Sequence, residues 1–221
     1  MGKRGPKPKG KVSIRWSADL AYAIGLLVTD GCLSPNGRHI IFVSKDLEQI
    51  ENYMHALGIT NAISTTSSGY TENRAFRVQF SDVLFHGFLT EIGLMPNKTK
   101  VIGEVKIPRK YFFDFLRGHL DGDGSAYSYY DPRWKSSFLF YLTFVSASER
   151  HITWLRKTLE DLLGVRGHIS KARTSSVYSL RYGKAEAVRI IRRMYVKPRK
   201  IHLSRKRLKI EAVLGMMGEK L

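Results

Sequence analysis

Two Asp-Gly pairs, Asp30-Gly31 and Asp123-Gly124, are the residues of this chain that point most directly to chemistry. Each ends a short run with small residues four apart: Gly25 and Thr29 in the first, Gly118 and Gly122 in the second. That spacing lets another helix backbone come very close. If two such helices pair in parallel, their C-terminal ends meet and Asp30 and Asp123 lie side by side. Two carboxylates, two helix dipoles and exposed carbonyls then share one volume, which is unfavourable without a compensating cation. A hard divalent ion, Mg2+ or Mn2+, is the natural occupant, on Asp30, Asp123 and the carbonyls of Gly31 and Gly124. Such an ion can orient a hydrolytic water and neutralise charge at a phosphodiester. Gly31 and Gly124 are expected to take φ > 0 just past the helix ends. Singly, either pair reads as a turn; the repetition gives them weight.

The elements that must position these acids also repeat. Gly25 to Gly31 (GLLVTDG) returns 93 residues later as Gly118 to Gly124 (GHLDGDG). Phe42-Val43-Ser44 returns as Phe144-Val145-Ser146, and Leu57-Gly58-Ile59 as Leu163-Gly164-Val165. The alternation Phe76, Val78, Phe80 returns as Tyr178, Leu180, Tyr182, and Pro96-Asn97-Lys98 as Pro198-Arg199-Lys200. Five matches in one order, at offsets of 93 to 106, indicate a duplicated unit. Each unit reads as helix, hairpin, helix, hairpin, helix. Ser17 is an N-cap candidate for a helix over 18–30 that is apolar on every side from Leu20 to Val28, so buried all round. A strand over 38–43, a helix over 46–57 with apolar Leu47, Ile50, Met54 and Leu57, strands over 62–68 and 74–80, and a helix over 81–94 follow. The second unit has a longer first hairpin, 125–145, with its tip at 130–135. A terminal helix is expected over 201–221.

Thirty-seven Lys and Arg face nineteen Asp and Glu, a formal net charge of +18 that calls for a polyanionic partner. Fifteen Lys/Arg and one acid, Glu186, lie between Arg166 and Lys209. Residues 1–16 read as a flexible basic arm. Cys32 is the single cysteine, which excludes a disulfide framework and a multi-cysteine zinc site and suggests an intracellular, non-secreted protein. No apolar run is long enough to span a membrane.

The stretch Ala23 to Gly31 (AIGLLVTDG) and the stretch Leu116 to Gly124 (LRGHLDGDG) resemble the nine-residue signature of LAGLIDADG homing endonucleases. The resemblance covers roughly residues 17–205. The first copy departs at Val28, where the family often has Asp; the metal-binding acid is intact in both copies. The resemblance implies an α+β fold of two pseudo-symmetric αββαββα repeats, with the signature helices paired at the centre and saddle-shaped antiparallel sheets astride double-stranded DNA. The repeats would be 17–108 and 109–205, with 206–221 a C-terminal tail or helix. A single chain of this kind acts as a monomer without a protein partner. It would cut both strands of a long, asymmetric site and leave staggered ends.

In the family a lysine just past the last helix of each repeat reaches the active site, which implicates Lys98 and Lys200. Lys45 and His151 end the first hairpins and are candidates for the polar fringe of the site. Strand side chains would read bases in the major groove. The candidates are Asn36, Arg38, Arg74, Arg77 and Gln79 in the first repeat. In the second they are Tyr127, Tyr129, Arg133, Lys135, Lys171, Arg173, Tyr178 and Arg181. Only alternate residues of a strand share a face, so the set must divide. Arg133 and Lys135, at a hairpin tip, suit phosphate contacts. The basic run Arg205 to Lys209 suits non-specific phosphate contacts, as does the arm. Competing readings are an intron maturase binding intron RNA, a non-cleaving DNA-binding protein, and the endonuclease part of an intein.

Overall fold

Helix α1 (Ala18–Asp30) starts where Ser17 Oγ accepts the Leu20 N–H at 3.0 Å, with Asp19 in the first turn. The chain is seen here in a computed structural model that describes residues 10–67, 74–173, 175–196 and 201–221, without the side chains of Ser67, Arg74 and Lys135. After α1 come β1 (Gly31–Leu33), β2 (His39–Ser44), α2 (Leu47–Leu57), β3 (Ile63–Ser67), β4 (Arg74–Ser81) and α3 (Val83–Glu91). The same order returns in α4 (Phe112–Gly122), β5 (Ser125–Asp131), β6 (Trp134–Ser146), α5 (Glu149–Leu163), β7 (His168–Lys171), β8 (Tyr178–Gly183) and α6 (Lys184–Met194). A last helix, α7 (Ser204–Met216), closes the chain and is shorter than expected.

Two four-stranded antiparallel sheets result, ordered β1-β2-β4-β3 and β5-β6-β8-β7. This is the α+β, two-repeat arrangement that the internal matches foretold. On each sheet the core face is set by alternation: Ile40, Phe42, Val78 and Phe80 in one, Phe140, Leu142, Phe144, Leu180 and Tyr182 in the other, all buried. Helix α2 buries Ile50, Tyr53 and Leu57, while Leu47, expected in the core, is 39% exposed at the helix start.

The helices α1 and α4 pack backbone to backbone. A Cβ on Gly25 would stand 2.1 Å from the Phe115 carbonyl oxygen, and one on Gly118 2.0 Å from that of Tyr22. A Cβ on Gly122 would strike Thr29 Oγ1 at 2.0 Å. The contacts advance together along both helices, so the pair is parallel and its C-terminal ends coincide.

Packing begins earlier than Ser17. Asp82 Oδ2 accepts the backbone N–H groups of Lys11 and Val12 while its Oδ1 accepts that of Phe85, so one carboxylate caps α3 and pins the entering chain. Residues 1–9 lie outside the described residues.

Candidate active site and nucleic-acid interface

Each acid sits where a central helix runs directly into the edge strand of a sheet: Asp30 before β1, Asp123 before β5. The expected left-handed glycines are not there. Gly31 has φ −89° and ψ 155°, and Gly124 is absent from the residues with positive φ. Glycine is required for close approach instead: a Cβ would lie 2.5 Å from Leu27 Cδ2 at Gly31 and 2.5 Å from Leu120 Cδ1 at Gly124. The left-handed caps are at Gly58 (φ 65°) and Gly164 (φ 62°), which end the supporting helices α2 and α5.

The pairing brings the two carboxyls into one electrostatic environment. Asp30 Oδ2 accepts the Thr29 hydroxyl at 3.0 Å and would lie 2.8 Å from a Cβ on Gly122, so it rests against the end of α4. Burial and the neighbouring Asp123 push Asp30 up to about 6, against the pull of Thr29, Lys206 and Lys98. Burial also raises Asp123, held back by Lys206 and Lys98.

Lys98, in a single 3-10 turn over Lys98–Lys100, is buried and donates to the Gly31 carbonyl at 2.6 Å. Burial lowers its pKa, with Cys32, Asp30 and Asp123 opposing. Lys200 lies outside the described residues. The ammonium group seen at the second half is that of Lys206, which the sequence had assigned to an exposed basic run. Lys206 Nζ reaches the carbonyls of Leu120, Asp121, Gly122 and Gly124 at 2.6, 2.8, 2.7 and 2.8 Å. Burial lowers it to about 8, with Asp121 the leading opposing charge. A signal existed: Leu203, Lys206 and Ile210 share one stripe at helical spacing, and the flanking two are buried. Two more residues of the run are engaged: Arg205 pairs with Asp46 at 2.7 Å and Arg207 with Glu211 at 2.8 Å, while Lys209 is exposed.

Asp121, at the signature position where the first copy has Val28, belongs to the core rather than to the carboxylate pair. Its Oδ2 accepts from Tyr22 Oη and from the Leu203 N–H, both at 2.8 Å. Burial pushes it up to about 6. His151 is not on the polar fringe: it is fully buried, its Nδ1 2.8 Å from the Gly103 carbonyl oxygen, its ring stacked on His119. Lys45 is exposed just past β2. Among the described residues no cluster of three or more His, Cys, Asp or Glu could hold a metal, so any ion here rests on two carboxylates and other oxygens.

The strand candidates divide by register, because directly opposed residues share a face. Val43 pairs with Arg77 and Ile41 with Gln79, which puts Arg77 and Gln79 together on the outer face of the first sheet, in contact through Arg77 Nη2 and Gln79 Oε1. Asn36 shapes the hairpin tip by accepting the Arg38 N–H at 3.0 Å; Arg38 is exposed beside it. The side chains of Arg74 and Lys135 lie outside the described residues. In the second sheet Tyr127, Tyr129 and Arg181 share the outer face with Tyr141, which the sequence reading missed. Tyr127 and Tyr141 stack at 5.3 Å, with the Arg181 guanidinium 5.4 Å from the Tyr141 ring. Lys171 and Tyr178 face each other on the opposite, core-side face, in line with Leu180. They do not belong to the surface that carries Arg181. Arg133 is bonded to Asp131 through its backbone N–H, Nε and Nη2 and so folds the hairpin tip; Arg173 is exposed past β7.

No protein-family model and no curated protein matches the chain. Solved structures do. Full-length DUF199/WhiA from Thermatoga maritima aligns with TM-score 0.57 at 14% identity, covering 91% of this chain and 61% of its own, so this chain spans about three-fifths of that protein. The I-LtrWI LAGLIDADG homing endonuclease bound to target DNA aligns with TM-score 0.56 at 13% identity over 91% of each chain. I-DmoI in complex with DNA and Mn aligns with TM-score 0.52 at 15% identity, over 81% of this chain and 97% of its own. The chain therefore has the two-repeat LAGLIDADG fold.

Proposed function

We propose that the chain is a monomeric, site-specific endonuclease that hydrolyses both strands of a long, asymmetric double-stranded DNA target, leaving staggered ends, with Mg2+ or Mn2+ as cofactor. The carrying observation is the meeting of Asp30 and Asp123 at the shared end of α1 and α4, with Asp30 pushed up to about 6 by burial and its neighbour. Two carboxyls that share one environment, Asp30 half-buried and Asp123 more exposed, fit a hard divalent cation. The carbonyls of Gly31 and Gly124 already accept from Lys98 and Lys206, so each would offer the ion only its second lone pair. When bound, such an ion would neutralise phosphate charge and lower the pKa of a water. The chain's own residues do the rest. Lys98 and Lys206 hold the backbone that presents the acids, and the parallel helices fix the two carboxyls to one another. The outer faces of the sheets offer Arg77, Gln79, Tyr127, Tyr129 and Arg181 to base edges and phosphates. The charge of +18 supplies the sequence-independent attraction. Structural relatives solved with target DNA, or with DNA and Mn, support the same reading.

The test is selection of bound duplexes from a randomised library without metal, then addition of Mg2+ or Mn2+ to the enriched duplex. Cleavage of both strands at fixed positions is expected. Enrichment of one sequence with no cleavage in either metal would leave a binding protein and overturn the enzymatic reading.

A further inference from the structure

The short segment before and at the start of α7 contacts the two repeats alternately. The Ile201 carbonyl accepts from Arg117 Nε on α4 at 3.0 Å, and the His202 carbonyl from Asn52 Nδ2 on α2 at 2.8 Å. Leu203 N–H returns to Asp121 on α4 at 2.8 Å. Ser204 N–H then donates to Glu48 on α2 at 2.9 Å, and Arg205 forms a two-pronged pair with Asp46 at the α2 start, Nη2 to Oδ2 at 2.7 Å. Lys206 turns back and gathers four carbonyls at the end of α4. An ammonium has three N–H bonds for those four oxygens, so at least one is shared. Lys98, by contrast, holds the Gly31 carbonyl from within its own repeat.

We infer that residues 201–206 are a strap stitching the two repeats together, and that Lys206 is a positioning residue fixing the end of α4 from which Asp123 projects. The two half-sites are therefore built by different means. The first is closed locally by Lys98. The second depends on α7, and through α7 on Asp46 and Glu48 of the first repeat. The inference deepens the endonuclease reading and, in its strand-specific part, rests on it.

The experiment uses the full chain with Lys206→Met, with the double variant Asp46→Ala/Glu48→Ala, and with Lys98→Met as the counterpart. Asp46 makes no side-chain cap bond on α2, so its loss does not uncap that helix. Hydrogen exchange is measured without metal over residues 120–126, and cleavage of the selected duplex is followed separately on each labelled strand. Lys206→Met and the double variant should each speed exchange over 120–126 by about tenfold, whereas Lys98→Met should leave it unchanged. The same two variants should slow one strand by about tenfold or more beyond the other and accumulate nicked product, with Lys98→Met slowing the opposite strand. Unchanged exchange over 120–126 in both would overturn the strap, and equal slowing of both strands would overturn its assignment to one half-site. If the wild-type chain binds DNA but cuts neither strand, the nuclease reading fails and the exchange result alone decides the strap.

Discussion

Burial is the largest cause of the shifts at Asp30, Asp121 and Asp123, and His151, on the supporting helix α5, shows the same cause acting on an imidazole. Its ring is enclosed and stacked on His119, and burial lowers its pKa to about 4. The unfolded chain takes up this proton near pH 6.5, so the contribution of His151 to stability is complete above that pH and is lost as pH falls through about 4. Asp30 and Asp121, pushed up to about 6, act in the opposite sense, favouring the folded state as pH falls from about 6 towards 4. Comparing denaturant unfolding of wild type and His151→Phe between pH 7 and 4 isolates the imidazole. The wild type should lose up to about 3 kcal/mol relative to the variant over that window; parallel curves would mean that His151 is not buried as an uncharged ring.

The helix pair was legible from sequence because small residues at i and i+4 are meaningful only if something comes close to them. The closeness is severe enough to test. Gly25→Ala puts a methyl group 2.1 Å from a backbone oxygen and must push α1 and α4 apart, at a cost of about 1–3 kcal/mol or more. Gly87→Ala, in the middle of α3 with nothing within 4 Å, should be neutral or stabilising by up to about 1 kcal/mol. Urea midpoints of the two variants check this, and equal midpoints would contradict it. Other features were not legible. The conformation of Gly31 and Gly124 depends on which atoms surround them, and a local turn rule chose a left-handed cap where a strand begins at once. Strand faces could not be assigned until register was known, which is why Lys171 and Tyr178 were grouped with Arg181. Lys206 was hidden because a basic run on a basic protein looks solvated; its place on the stripe with Leu203 and Ile210 marked it as different.

Across the whole molecule, the duplication brings two helix ends together, and each helix runs on into the edge strand of its own four-stranded sheet. The net charge of +18 makes association electrostatic. Affinity for the selected duplex, measured as Kd by fluorescence anisotropy, should weaken by about a hundredfold or more between 50 and 200 mM salt. Arg181→Ala should weaken it further at each salt concentration, by about 1–3 kcal/mol if Arg181 reads a base. Lys171→Ala, on the opposite face, should change it little. The reverse ranking would put DNA on the wrong side of the second sheet.

The central claim is that Asp30 and Asp123 form one catalytic pair at the joined ends of α1 and α4. Its most direct measurement is strand-resolved cleavage and binding of the selected duplex by Asp30→Asn and Asp123→Asn, each close in shape to wild type. Both variants should bind within about threefold of wild type, because neither acid is asked to attract DNA. Each should lose double-strand cutting by at least about a thousandfold, the scale expected when a group that stabilises transition-state charge is removed. Normal cutting of both strands by either variant would contradict the account.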